Sequence, residues 1–426
     1  MLSVDLNKKD RRLDLYFDVP IPSFLESNDE LETVIKKLRQ VADVRLGRTD
    51  DNNISCLSVG IHGWIEFVKS VLSEQRFVFQ QKVFSELLER ECKKLGNGMV
   101  INFHQRPFDT QERYWNFILS QGNFAEYFVN RLCWYYYPKY TIVSPFPMHV
   151  DLEASSTCNM NCPMCYRDQL KETGQMDIDL FKKAIDECAA NEVFSVRLSW
   201  RGETLTHPAI KEMISYATNR IKNVSFLTNA FYFNEDNIDC FIENGVSYVA
   251  VSFDGIGETY ESIRHPAKFS ENYNRLAMLQ DRKRQSGSML PQVRLCTLWP
   301  AIKENPDAYY QIMKNVSDYI VCNPYINFKG PMKIKSDFIC QYPWERIVVA
   351  FDGNAQCCTG WNPDDILLGN IRDNSIRDMW HSDLMTKIRK LHTQGRRMEL
   401  NSCANCRHGS EGDPNINIKD ILDRMY

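Results

Sequence analysis

Met148-His-Val-Asp-Leu-Glu-Ala154, followed by Cys158-Asn-Met-Asn-Cys162-Pro-Met-Cys165, is the stretch on which the fold turns. The first run alternates apolar and polar residues and reads as a strand; the second reads as the loop in which that strand ends. Three thiolates at a C-x3-C-x2-C spacing fall one short of the four protein ligands of a closed zinc site or a ferredoxin-type cluster. A metal held by Cys158, Cys162 and Cys165 keeps one position open, and chemistry at a metal requires such a position. Taken alone, the spacing also suits three unrelated thiols or a zinc knuckle. The downstream motifs weigh against both.

At 426 residues the chain has room for two or three domains, and 43% hydrophobic and 25% charged residues are ordinary for a globular protein. A net charge of −4 argues against a nucleic-acid partner bound by phosphate neutralisation. No apolar run approaches the roughly 18 residues of a membrane span. The segment Met1-Leu-Ser-Val-Asp-Leu-Asn-Lys-Lys-Asp-Arg-Arg has no apolar core behind its charges, so no secretory signal is expected. Fifteen Cys in such a chain read as metal ligands and buried thiols in a reducing cytoplasm, not as disulfides.

Outward from the Cys loop, strand-like and helical runs alternate. Strands are predicted at 148–154, 195–199, 224–228, 248–253 and 292–297, with a closing one at 325–328. Helices are predicted at 178–190, 209–220, 235–244, 270–284 and 307–316. The alternation implies a parallel sheet with right-handed crossovers, an α/β fold with the site at the C-terminal strand ends. Polar segments do fall there: Ser199-Trp-Arg-Gly202-Glu203-Thr, Leu227-Thr228-Asn229-Ala230, and Val251-Ser252-Phe-Asp254-Gly255 with Tyr260-Glu-Ser-Ile-Arg264 beyond it. Each alone is no more than a turn signal.

Residues 1–145 show helical patterning at 30–41 and 78–90 and an aromatic-rich run from Tyr114 to Tyr140. The aromatics read as core or as a docking surface between domains. The C-terminal part carries Cys340, a hairpin signal at Asp352-Gly353, then Cys357-Cys358, a helix near 376–391 and Cys403-Ala-Asn-Cys406. Cys340, Cys358, Cys403 and Cys406 make a four-ligand set. Cys357 is the alternative to Cys358, because adjacent strand residues face opposite ways. Four thiolates suit zinc and iron–sulfur equally.

The Cys loop with these ordered strand-end motifs resembles the radical S-adenosylmethionine (radical SAM) superfamily, and the C-terminal Cys set resembles its SPASM/twitch auxiliary-cluster domains. The helical patterning makes 1–145 a mainly helical N-terminal domain; the resemblance implies a partial (β/α)6 barrel over 146–335 and a hairpin-and-helix module over 336–426. It implies a [4Fe-4S] cluster on Cys158, Cys162 and Cys165, with its open iron taking S-adenosylmethionine (SAM), and a second, auxiliary [4Fe-4S] cluster. By the same token Gly202 and Glu203 contact the SAM amino group, although Arg201 and Thr204 depart from the family's Gly-Gly-Glu-Pro. Thr228, Asn229, Ser252, Asp254 and Arg264 stand for the ribose and carboxylate contacts. Met164 occupies a slot that is usually aromatic.

The activity implied is reductive cleavage of SAM to a 5′-deoxyadenosyl radical, which takes hydrogen from a substrate C–H. The expected substrate is small and polar, sugar- or aminocyclitol-like, from natural-product or cell-envelope metabolism. An external donor such as flavodoxin or ferredoxin supplies electrons. A peptide maturase, with residues 1–145 reading a leader, is the alternative. A non-catalytic iron–sulfur or zinc protein is the reading from another class.

Overall fold

The computed structural model describes residues 141–326, 339–360 and 365–407; among the remainder it describes chiefly the strands named below and scattered single positions. The helical patterns at 30–41 and 78–90 lie outside the described residues, save Arg39, which is helical. β1 (Leu2–Asn7), β2 (Arg12–Ile21), β3 (Val44–Arg48) and β4 (Ile54–Gly60) form an antiparallel sheet of order β1-β2-β4-β3. The expectation of a mainly helical N-terminal domain did not include this sheet. Leu13-Asp-Leu and Leu57-Ser-Val alternate with period two, and the two strands align with Leu13 opposite Val59 and Leu15 opposite Leu57.

β5 (Met99–Val100) and β6 (Arg106–Pro107) are short. The large sheet is built on β7 (His149–Leu152), β8 (Ser195–Arg197), β9 (Asn223–Thr228), β10 (Tyr248–Ser252), β11 (Gln292–Leu298) and β12 (Tyr319–Asn323), all parallel and in that spatial order. The closing strand therefore lies at 319–323 and not at 325–328. Pro324, which lacks an N–H, follows directly upon it. β13 (Ile339–Cys340) pairs with β5, whereas β14 (Arg346–Val349) pairs in parallel with β7. The hairpin of β14 and β15 (Asn354–Gln356), with β16 (Leu367–Asn370) beyond it, thus continues the barrel sheet, giving ten strands in the order β16-β15-β14-β7-β8-β9-β10-β11-β12-β6.

Crossover helices form where the apolar spacing placed them. α1 (Ile178–Ala190) starts at Asp177, whose carboxylate accepts from Asp179 N and Leu180 N at 3.0 Å, and buries Leu180, Phe181, Ala184, Ile185 and Cys188 on one stripe. α2 (Ile210–Thr218), α3 (Glu235–Glu243), α4 (Phe269–Ser286) and α5 (Pro306–Met313) follow the next strands. The single helix expected near 376–391 is two, α6 (Ile376–Trp380) and α7 (Asp383–Thr393), because Ser382 caps a new start by accepting from Met385 N at 3.2 Å.

Alternation gives the sheet two unlike faces. Val150, Val196, Phe226, Val249, Leu295 and Ile347 belong to the continuous apolar core. The neighbouring positions His149, Asp151, Ser195, Arg197, Ser225 and Arg346 share the opposite, inner face, which is polar. Aromatics of the 114–140 run meet this face at the N-terminal strand ends. Phe117 lies 5.9 Å from Tyr248 and 5.3 Å from Tyr319, and Trp134 lies 5.5 Å from His149 and 4.7 Å from the Arg346 guanidinium. At the far edge Asp109 is fully buried, accepting from Arg113 Nε, Tyr310 Oη and Ile320 N, and so fixes the chain beside β12. No helix among the described residues is long and apolar enough to cross a membrane.

Candidate active site

β7 delivers Glu153, Ser155 and the Cys loop to the C-terminal rim of the barrel. The loop is tied down on three sides. Ser156 N donates to Gly174 O, Glu203 N donates to Thr157 O at 2.7 Å, and Asn161 N donates to His265 O at 2.9 Å. Ser155, Thr157 and Thr206 join their hydroxyls in a triangle of 2.8–2.9 Å.

Cys158, Cys162 and Cys165 are free and half-buried. Each thiol receives one N–H: Cys158 from Met160 N, Cys162 from Arg264 Nη1 at 3.6 Å, and Cys165 from Arg167 N at 3.4 Å. Burial pushes the Cys158 thiol up to about 11, and burial raises Cys162 too, with the Arg264 charge working against it. Thiols so buried hold their protons until a cation displaces them, while the aimed N–H groups favour thiolates. That donor set fits a metal cluster. Among the described residues no three His, Cys, Asp or Glu side chains are gathered so as to hold a single metal ion.

The motif residues close around the loop. Gly202 has φ +70°, and a Cβ there would lie 2.5 Å from the Ser156 carbonyl carbon and from Thr157 O. Only glycine allows that approach. Glu203 is turned inward and 1% exposed. Its oxygens accept from Leu205 N at 3.2 Å, Thr228 Oγ1 at 2.7 Å and Asn229 N at 2.7 Å. Burial pushes its carboxyl up to about 7, partly offset by those donors. Glu203 therefore locks the ends of β8 and β9 together. Asn229 donates Nδ2 to Asn159 Oδ1 at 2.9 Å, while Asn159 Nδ2 is buried with no hydrogen-bond partner. That amide is an unused donor within the cluster loop itself. Asp254 accepts from Arg264 Nε at 2.7 Å and from Leu298 N at 2.7 Å, so the guanidinium is held between a carboxylate and Cys162. Ser252 is half-buried at the end of β10.

Two ion-paired carboxylates at the site, Glu153 and Asp151, escaped the sequence reading. Arg201, where the resemblance expects glycine, makes a two-pronged pair with fully buried Glu153, Nε–Oε1 2.7 Å and Nη2–Oε2 2.5 Å, and lies 3.8 Å over the Trp200 ring. Glu153 also accepts from Phe351 N in the hairpin at 3.2 Å. A long cation in the place of a glycine asks for a counter-charge, and that was the available signal. On the inner face Asp151 is paired with Arg197 at 2.8 Å and Arg346 at 3.0 Å. Burial opposes its ionisation, but the two guanidinium groups and His149 hold it below the usual carboxylate range.

The C-terminal Cys side chains lie within electrostatic reach of one another. Burial raises the Cys340 thiol, and the nearby sulfurs of Cys406, Cys358 and Cys403 raise it further. Cys358 Sγ receives Gly360 N at 3.3 Å, whereas Cys357 is 3% exposed and packs into the main core. His392 completes the group, with Nδ1 3.2 Å from Cys340 N and Nε2 3.5 Å from Cys403 Sγ.

A family model described as the radical SAM superfamily matches residues 152–291, and one described as the SPASM iron–sulfur cluster-binding domain matches 340–407. An S-adenosyl-L-methionine-dependent 2-deoxy-scyllo-inosamine dehydrogenase from Niallia circulans is 24% identical over 267 residues, 61% of this chain and 93% of that one. The antilisterial bacteriocin subtilosin biosynthesis protein AlbA of Bacillus subtilis is 27% identical over 141 residues, 32% of this chain and 31% of that one. The crystal structure of Streptococcus suis SuiB aligns at a TM-score of 0.46 and 12% identity, over 91% of this chain and 89% of that one.

Proposed function

Because this chain belongs to the radical SAM superfamily and carries a SPASM iron–sulfur domain, making it an enzyme that uses SAM and iron–sulfur clusters, we propose that it oxidises a small polar substrate held against the inner face of its barrel. One observation carries the substrate class. The inner face bears Asp151, Arg197, Arg294 and Arg346, and leaves Ser225 Oγ, Arg294 Nε and Asn323 Oδ1 buried without hydrogen-bond partners among the described residues. A hydroxylated or amino-bearing ring uses such groups; an apolar one strands them. The dehydrogenase named above acts, by its name, on an aminocyclitol, and supports the same class.

In this reading Cys158, Cys162 and Cys165 hold a [4Fe-4S] cluster, and Cys340, Cys358, Cys403 and Cys406 hold a second. With SAM bound, the first centre supplies reductive cleavage of the S–C5′ bond and hence a hydrogen-abstracting radical. The chain's own residues do the rest. Arg264, fixed by Asp254, offers a cation to the SAM carboxylate, and Asn159 Nδ2 and Ser252 offer polar contacts beside it. Glu203 keeps the β8 and β9 ends rigid. The apolar outer face, covered by helices, shuts water out from behind. A cytoplasmic reductant such as flavodoxin or ferredoxin is the fitting donor.

The test is anaerobic. Protein reconstituted with iron and sulfide is reduced with dithionite, given SAM and a panel of aminocyclitols deuterated at ring carbons, and assayed for 5′-deoxyadenosine. Deuterium in the 5′-deoxyadenosine from one aminocyclitol is the expected result. Transfer from peptides alone would overturn the substrate class. That peptide reading has one observation in its favour, the β1-β2-β4-β3 sheet, whose outermost strands are candidate edges for an added strand.

A further inference from the structure

His392 bridges the two ends of the C-terminal Cys set, and its protonation pattern is fixed by the chain. Nδ1 lies 3.2 Å from the backbone N–H of Cys340. A backbone N–H only donates, so Nδ1 is the acceptor and the ring proton sits on Nε2. Nε2 in turn lies 3.5 Å from Cys403 Sγ, within reach of a sulfur acceptor. The ring is 1% exposed and stands edge-on to Trp344 at 6.5 Å. The sulfur is fixed as firmly. Cys403 O accepts from Arg397 Nη1 at 3.0 Å, and the turn bearing Cys403 is held at its start by the Asp365 carboxylate, which accepts from Ser402 N at 2.9 Å.

We propose that His392 is a positioning residue of the auxiliary centre, whose Nε2–H···S bond to Cys403 raises the reduction potential of the cluster. The proposal rests on the reading of the four Cys as iron–sulfur ligands. A hydrogen bond to a ligand sulfur draws charge from it and favours the reduced, more negative state. The Gly360 N–H aimed at Cys358 acts in the same sense, but it belongs to the backbone. His392 supplies its bond through a side chain, so sequence sets its strength. A raised potential suits a centre that accepts an electron.

The test uses the full chain with Cys158, Cys162 and Cys165 changed to Ala, which leaves only the C-terminal centre. In that background His392, His392→Gln and His392→Phe are reconstituted, their iron and sulfide measured, and their midpoint potentials read by redox titration of the EPR signal. The expected result is unchanged iron in His392→Phe with a more negative midpoint, a roughly tenfold lower reduced-to-oxidised ratio at fixed potential, or 59 mV for one electron. His392→Gln, which keeps an N–H donor, falls between. A fully loaded His392→Phe with the unchanged midpoint overturns the proposal. Should His392→Phe not load, pulsed EPR of the reduced parent with 15N-labelled histidine decides: a histidine-nitrogen coupling supports the bond and its absence overturns it. Zinc in place of iron in the parent would end both this proposal and the cluster reading beneath it, and metal content separates that failure from a mere lack of effect.

Discussion

Trp200 Nε1 donates to Thr359 O at 3.1 Å, so the loop after β8 is bonded directly to the residue beside Cys358. The two Cys sets are thereby mechanically joined at their rims.

Trp200→Phe removes that bond and keeps an aromatic ring beneath Arg201. We expect a stability loss of about 1 kcal/mol by urea denaturation, with faster amide exchange over 354–360. Unchanged exchange there would show that the bond does not brace the hairpin.

Arg201→Ala leaves Glu153 fully buried without its cation. The expected cost is about 3–5 kcal/mol, as for broken buried pairs. Glu153→Gln in the same chain should recover at least about 1 kcal/mol of it, because no charge is then stranded. Strict additivity of the two changes in a double-mutant cycle would refute the pairing.

Gly202→Ala places a methyl 2.5 Å from the Ser156 carbonyl carbon and from Thr157 O, at a φ of +70°. The Cys loop must shift, at a cost of roughly 1–3 kcal/mol. Iron in the reconstituted protein should fall towards that of the Cys158, Cys162 and Cys165 triple-Ala variant, while the C-terminal centre loads normally. Full loading with normal SAM cleavage would mean that the loop tolerates the shift.

Glu203 sets a pH dependence. Its folded pKa, about 7, lies above its ordinary value of 4.5. Between those values the native state binds more protons than the unfolded one, so this carboxyl's contribution to stability falls as pH rises through the window and is flat above it. Glu203→Gln does not titrate. The stability of wild type minus variant, from urea midpoints, should shrink between about pH 5 and pH 7 and then level off. A gap that widens with pH would show a carboxylate ionised throughout.

The legible parts were those whose causes are local. α1 runs from Ile178 to Ala190 as the spacing placed it, because its cap at Asp177 and its apolar stripe lie within one stretch of chain. Cys357 and Cys358 stand just beyond β15, not within the strand expected to carry them, and the first packs into the core. The N-terminal sheet was not found in the sequence, because its pairings, such as Leu15 opposite Leu57, bind residues far apart in the chain. The same holds at the site. Arg201 and Glu153 are 48 positions apart, His392 and Cys340 are 52 apart, and Trp200 and Thr359 are 159 apart. Motif spacing finds ligands, since neighbouring ligands share a loop; it does not find the partners that brace them.

The pairing of β14 with β7, Val348 opposite Asp151 and Val349 opposite Leu152, carries a last consequence. The strand leading to the Cys158 loop and the strand opening the Cys358 hairpin are adjacent staves of one wall, about 4.8 Å apart. Hinge closure is not available to such a pair. Under the proposed reading, in which each Cys set carries a cluster, the rims on which the clusters stand cannot part without breaking the β7–β14 ladder.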